Sequence, residues 1–332
     1  MKTQTIETNT LLTLDWLGNE VIDWANSGMC YSLDGTARPL REGSNYMFAH
    51  NFDSAISSPN GLYTFIYIKL GTKGILLKNG RELLREINRP YYYASAYEYP
   101  ATFVEIAGKT YLVHCPLAYC RLDFEDVETG EIITNIPNRK SLDVFHSRLE
   151  ISPDGRFLIS KGWYWQPWDC LRLYPIKDCL ENPHLLDSGQ PIGGGLYTEP
   201  CTANFMDGER LLIGTSTEGK DEEEEHEEVP PEHLAIWNLN TQTFSNVVNV
   251  KVPFGNILVI NEQYCWDLFE YPKVIDIRTG EVVDKNESIN SGQQRSSIIW
   301  HLKDLPKMAF NPRTKQVALY KEKKIDVLTF ML

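Results

Sequence analysis

Ser58-Pro59-Asn60-Gly61 runs directly into Leu62-Tyr63-Thr64-Phe65-Ile66-Tyr67, and Ser152-Pro153-Asp154-Gly155 runs into Arg156-Phe157-Leu158-Ile159. Each pair of segments reads as a tight turn feeding a β-strand. Pro presets φ at the second turn position, Asn or Asp bonds its own backbone two residues on, and Gly takes a positive φ at no steric cost. Weaker copies follow the same order. Leu17-Gly18-Asn19, Ala107-Gly108-Lys109, Asp207-Gly208, Phe254-Gly255-Asn256 and Asn311-Pro312-Arg313 each precede a short apolar run. With the turn markers at 18, 61, 108, 155, 208, 255 and 313, the spacings are 43, 47, 47, 53, 47 and 58. Three equal spacings mark a repeat, and a period of roughly 40–50 residues fits four-stranded propeller blades.

A second landmark lies inside most units. Asp34-Gly35, Asn79-Gly80, Thr129-Gly130, Thr241-Gln242 and Thr279-Gly280 each separate two β-prone runs, as a hairpin turn does. Each unit therefore reads strand a, turn, strand b, loop, strand c, hairpin, strand d. No segment keeps a helical apolar period over three turns. The expected fold is all-β, a seven-bladed β-propeller of four-stranded blades over residues 1–332. The last unit ends after its third strand, around Ile325–Phe330. The N-terminal segment from Thr3 to Thr8 is expected to supply the missing strand and close the ring, which removes an exposed sheet edge.

The chain of 332 residues carries 32 Lys and Arg against 45 Asp and Glu, a formal charge of −13. That excess argues against direct nucleic-acid binding and against an anionic membrane surface, both of which need a cationic face. The first residues lack an apolar signal region, and no stretch approaches a membrane helix. Seven scattered cysteines do not form a disulfide framework. Together these point to a cytoplasmic protein with reduced thiols.

Four segments carry a resemblance to bacterial WD40-like β-propellers. They are Ser152–Gly155 with Gly162–Asp169; His114-Cys115-Pro116 with Glu125–Glu131; Leu234-Ala235-Ile236-Trp237-Asn238-Leu239; and Ile275–Glu281. The sequence departs from the eukaryotic-type pattern. It has no repeated Gly-His pair, and Trp237-Asn238 stands where Trp-Asp would. The resemblance implies an interaction platform and transfers no catalytic residue.

In a propeller the a–b and c–d turns share one face, and the b–c and d–a loops share the other. The unusual residues fall in the second set. Trp163, Tyr164, Trp165 and Trp168 are assigned to one b–c loop, Tyr264, Trp266, Phe269 and Tyr271 to another, and Tyr119 to a third. Tyr91, Tyr92, Tyr93 and Tyr197 fall in d–a connections. Rigid aromatic area dominates binding hot spots, so the set is the candidate binding face, although any one ring could instead plug a gap between blades. The stretch 218–232 is expected to be a mobile acidic insertion in a b–c loop. Within it Asp221, Glu222, Glu223, Glu224, Glu225, Glu227 and Glu228 repel one another, and without residues 221–228 the chain's charge is −6. They read as a solvated insertion or as an electrostatic lure for a basic protein partner.

Chemistry finds less support. His114, Cys115 and Cys120 lack zinc-ligand spacing, and His114 and Cys115, as neighbours on a strand, face opposite ways. No phosphate-binding, hydrolase or zinc-protease motif occurs, so no metal and no cofactor is expected. Glu98, Asp169, Asp267 and Glu270 could meet at the central channel. A hydrolase or lyase working there, through these acids or His114, is the alternative to a non-catalytic binding module. An inhibitor or immunity-type role is one form of the latter.

Overall fold

The two diagnostic turns fold identically. Ser58 Oγ bonds Asn60 Oδ1 at 2.7 Å while accepting the Tyr63 N–H at 2.9 Å. Ser152 repeats this with Asp154 and Phe157 at the same distances. Gly61 and Gly155 close the turns at φ 68° and 71°, where a β-carbon would be strained. A second device recurs at the hairpins between strands c and d. Asp126, Asn238 and Asp276 each accept, through the side chain, the N–H two residues on. Each backbone carbonyl also takes the N–H four residues on. Four of the five predicted hairpins separate strands c and d as expected, and the fifth, Thr129-Gly130, follows strand c of blade 3 and leads only to a single bridge.

The computed structural model of the chain describes residues 1–332 except 43–47, 49–50, 166, 195–197, 220–228 and 332. Its strands form seven antiparallel sheets arranged as a β-propeller. Blades 1 to 6 span residues 15–39, 54–88, 101–126, 150–191, 198–249 and 257–285. Blade 7 combines Lys307–Phe310, Val317–Lys321 and Lys324–Thr329 with the N-terminal strand Lys2–Glu7, which pairs Lys2 with Thr329 through to Glu7 with Lys324. The ring closes as the sequence predicts.

The core is a set of wedges between blades. Each of seven apolar clusters joins two neighbouring blades: Phe65 and Leu76 meet Phe103 and Leu112, for instance, and Trp266 and Val274 meet Val317 and Leu328. Inner strands covered on both sides carry continuous apolar runs, such as Leu211-Leu212-Ile213. Outer strands face water on one side, so Thr243–Asn249 alternates between exposed and half-buried positions.

Four details differ from the sequence reading. The first inner strand is Asp15–Leu17, beyond Leu11–Leu14. Blade 3 has three full strands, and its fourth is reduced to a single bridge between Glu125 and Ile132. The c–d connection of blade 4 is long, carrying an α-helix, Ile176–Glu181, and a 3-10 turn, Pro183–Asp187. Cys179 and Leu186 from this insert fill the wedge between blades 3 and 4. Finally, Phe254-Gly255-Asn256 is not a turn between strands a and b. Ile257–Val259 is the inner strand of blade 6, and its turn follows at 260–263. Gly255 is small for another reason: a β-carbon there would sit 2.3 Å from the carbonyl oxygen of Gln294.

Candidate functional site

Gly162 decides how the aromatic face is built. Its missing side chain lets the chain at Phe145 cross blade 4 directly, since a β-carbon would lie 2.2 Å from the Phe145 oxygen. Phe145 and Trp163 then exchange backbone hydrogen bonds of 2.8 and 3.0 Å, and their rings stack with centroids 3.9 Å apart and planes within 5°. On this buried base stand rings from several loops. Tyr92 lies parallel to Phe145 at 5.9 Å, and Tyr119 tilts 4.7 Å from both. Trp165 meets Tyr93 edge-on at 4.8 Å and Phe145 at 5.5 Å. Edge-to-face contacts at such separations each add roughly 0.5–1.5 kcal/mol to area burial.

The loop bearing Tyr91, Tyr92 and Tyr93 is held from below by Arg89. Its buried guanidinium donates to the carbonyls of Gly71, Ala94 and Tyr97 at 2.8, 2.6 and 2.9 Å, and it covers the Tyr97 and Tyr99 rings. Tyr93 sits at φ 51°, a conformation non-glycine residues seldom adopt. The tyrosines remain open to solvent all the same: Tyr91 is 87% exposed, Tyr92 40%, Tyr93 46% and Trp165 41%. Burial, and then the hydrogen bond to Asp143, hold the Tyr119 phenol above its usual range.

A strap from the connection between blades 6 and 7 crosses the channel mouth to the opposite side of the ring. It leaves near Gly292 and returns at Leu305, where a β-carbon on Gly292 would come within 2.7 Å of the Leu305 side chain. At its tip Ile299 N–H donates to Ala96 O at 3.0 Å, and Tyr97 pairs with Ile298. Ile298 packs onto the Tyr97, Phe145 and Trp163 cluster. Trp300, 65% exposed, extends the aromatic surface.

The strap meets three of the four acids expected at the channel. Glu98 accepts the Gln294 side-chain amide, and Asp169 accepts Ser297 Oγ at 3.4 Å. Glu270 pairs through its backbone with Gly292. Asp267 receives the Gly255 N–H at 2.9 Å and a 2.8 Å ion pair from Lys273. Burial pushes Asp169 up to about 8; Arg148, 3.9 Å away, counters this only in part, and Glu199 reinforces it. Burial raises Glu199 as well, although it accepts the Asp169 N–H at 2.8 Å. These acids lie beneath the strap or along it. A groove of about 570 Å³ lies elsewhere, on the outer wall between blades 4 and 5, where Leu173, Ile192 and Trp237 line it.

The structure brings together Tyr92, Tyr93, Tyr119, Trp163 and Trp165, with Tyr91 beside them on the same loop. Trp163 and Tyr164 are on strand b and Trp168 begins strand c, so of that run Trp165 stands in the connection itself. Trp163 is buried as the floor of the cluster. Tyr264 and Trp266 belong to strand b of blade 6, a consequence of the misread Gly255. Trp266 is fully buried, donating to Lys315 O at 2.8 Å, and Tyr264 packs on Phe330. Both are packing residues between blades 6 and 7, remote from the cluster. Tyr197 and the acidic residues 221–228 lie outside the described residues. The adjoining strand Arg210–Gly219 runs up to them, its pairing with Thr198–Phe205 interrupted by register shifts around Pro200.

His114 is buried, 2.9 Å from Glu125, which also binds Arg85. Its neighbour Cys115 is buried in the wedge between blades 3 and 4. No grouping of three potential metal ligands occurs among the described residues, and no described helix is long and apolar enough to cross a membrane. Phe145, Tyr97, Arg89 and Trp300 escaped the sequence reading. Phe145 and Trp300 sit in long connections with no repeat signal; the bridge to Trp163 places the first, and the strap's pairing with residues 96–97 places the second.

No family model and no curated protein matches the sequence. Among 994 solved chains that match the fold is one in a crystal structure of the mitotic checkpoint complex. It is 10% identical, covers 97% of this chain and 90% of its own length, and superposes with a TM-score of 0.58. Likeness at that identity shows the β-propeller architecture, which hosts many functions.

Proposed function

We propose that this chain is a non-catalytic binding propeller that holds a protein partner on its aromatic face. The observation that carries the reading is a set of exposed rings, Tyr91, Tyr92, Tyr93, Trp165 and Trp300, gathered at one end of the ring around a buried, stacked base. Rigid aromatic side chains lose little entropy on binding and bury large areas, which is how hot spots work. The resemblance to bacterial WD40-like propellers and the multi-protein setting named for the structural neighbour agree with it. The charge of −13, seven units of it in residues 221–228, favours a basic partner. One form of this reading is an inhibitor that caps a basic toxin, in the cytoplasm of a bacterium.

The alternative, hydrolase or lyase chemistry at the channel mouth, has the buried Asp169 and Glu199 pair in its favour. The strap across them counts against substrate access.

The test compares the parent with Tyr92→Ala/Trp165→Ala and with Leu83→Ala, an exposed apolar residue on an outer strand. Each protein is immobilised and exposed to source-cell lysate, and retained proteins are identified by mass spectrometry. A protein retained by the parent and by Leu83→Ala, and lost from the double variant at unchanged melting temperature, is the expected result. Equal retention by all three would sink the reading.

A further inference from the structure

We infer that the aromatic face is an arginine-recognition site: a guanidinium from the partner stacks on Tyr92, meets edge-on the Trp165 ring that stands at 75° to it, and pairs with the carboxylate of Asp143. The inference rests on the binding reading above and names the chemistry of its anchor. Asp143 lies in the connection between blades 3 and 4, two residues before Phe145, the base of the ring cluster. One of its oxygens, Oδ1, accepts the Tyr119 hydroxyl at 2.5 Å. The Tyr119 ring in turn lies 4.7 Å from Tyr92, whose centroid is 6.4 Å from Trp165. A carboxylate and two half-exposed ring systems therefore border the same small area.

Among the described residues, no Lys or Arg ion-pairs with Asp143 or covers the rings of Tyr92, Tyr93 or Trp165. This sets the patch apart from the other charge–ring contacts of the molecule. Arg89 already occupies Tyr97 and Tyr99, Lys273 sits over Tyr271, and Arg295 over Phe269. The chain thus uses cation–ring pairing repeatedly inside itself and leaves one such surface open.

The open patch fits arginine better than lysine. A guanidinium is flat, stacks on ring faces and is weakly hydrated, so it gives up little on leaving water. Its N–H fork also matches a carboxylate held in place, as Asp143 is by Tyr119. An ammonium is more strongly hydrated and cannot stack. The chain's net charge of −13 adds a long-range pull in the same direction.

The probe is N-acetyl-arginine amide, titrated into the full chain labelled with ¹⁵N at its tryptophan indoles. N-acetyl-citrulline amide, flat but neutral, and N-acetyl-lysine amide, charged but not flat, are run beside it. The Trp165 indole signal, assigned by its loss in Trp165→Phe, is expected to move with arginine, while those of buried Trp24 and Trp266 stay put. Citrulline and lysine should bind about three- to tenfold more weakly, and Asp143→Asn, an exposed change that keeps the Tyr119 acceptor, should weaken arginine binding about as much. No movement of Trp165, equal affinity for citrulline and arginine, or an unaffected Asp143→Asn variant would each overturn the assignment. If the arginine response is absent while Tyr92→Ala/Trp165→Ala still abolishes partner retention, the arginine anchor is wrong and the binding face stands. If arginine binds and retention is unaltered by the double variant, the binding face is wrong as a partner site.

Discussion

Asp169 shows how one buried side chain can set the pH response of the fold. It is almost wholly buried, one of its oxygens lacks a hydrogen bond, and Arg148 stands 3.9 Å off, so burial raises it to about 8. In the unfolded chain it titrates near 4. The fold therefore holds it protonated at neutral pH while the unfolded chain does not. That contribution to stability is complete below about pH 4, is lost steadily as the pH rises, and is gone above about 8. Asp169→Asn keeps the shape without the charge. Its melting temperature should match the parent's near pH 4 and exceed it increasingly toward pH 9, where the gain in stability is roughly 1–3 kcal/mol. Melts at pH 4, 6.5 and 9 check this, and parallel curves for the two proteins would refute it. The sequence put this residue in a loop-like aromatic run and among four acids that could meet at the channel, but its burial and its partners were not legible. What it revealed well were residues whose meaning is local: the Ser-Pro-Asn-Gly and Ser-Pro-Asp-Gly turns carry their bonding partners within five positions. Gly255 was misread because the same absence of a side chain serves either a turn or a close crossing, and the crossing partner, Gln294, is far along the chain.

One element closes the ring and another supports its aromatic face. The N-terminal strand Lys2–Glu7 is the outer strand of blade 7, and Ile6 is buried with Leu11, Trp16 and Val327 in the wedge between blades 7 and 1. Deleting residues 1–9 removes six paired positions and uncovers the edge of Lys324–Thr329. The truncated chain should melt at least about 10 °C lower, the effect of a loss of several kcal/mol for a protein this size. An unchanged melting temperature would mean that the ring does not depend on this closure. This strand was legible because the blade count left the last unit one strand short and a spare segment ahead of the first strand. The strap was not legible, since it has no repeat, no apolar period and a partner, residues 96–98, almost two hundred positions away. Its ends touch at Gly292 and Leu305, as in an Ω-loop, so residues 293–304 can be replaced by Gly-Gly without stretching the chain. The shortened protein should keep its far-ultraviolet β spectrum, because the seven wedges contain none of those residues. It should lose part of its near-ultraviolet aromatic signal as Ile298 leaves Tyr97, Phe145 and Trp163. Loss of the β spectrum as well would show that the strap holds the ring together rather than the face.

At the scale of the molecule, the fold places its apolar residues in wedges and its exposed rings on loops at one end. A ring of blades brings together residues that are far apart in sequence, which is why Tyr92, Tyr119 and Trp165 meet from three separate connections. Charge acts over the same scale by different physics. The chain has a net −13, and residues 221–228 hold seven of its acids between the end of one strand of blade 5 at Gly219 and the start of the next at His233. The strand ends at Gly219 and His233 are the b–c ends of blade 5, as Tyr164 and Trp168 are of blade 4. A dense acidic run steers a basic partner from a distance but contributes little once contact is made, because exposed ion pairs are worth no more than about 1 kcal/mol. Removing residues 221–228 should therefore lower the association rate of the retained partner about three- to tenfold at low salt and leave its dissociation rate within about twofold. The difference between parent and deletion should shrink as ionic strength rises and the Debye length falls from about 30 Å at 0.01 M to about 3 Å at 1 M. Surface-binding kinetics at three salt concentrations measure both rates. A faster dissociation with an unaltered association rate would make the acidic run part of the bound contact itself, and steering would be the wrong account of it.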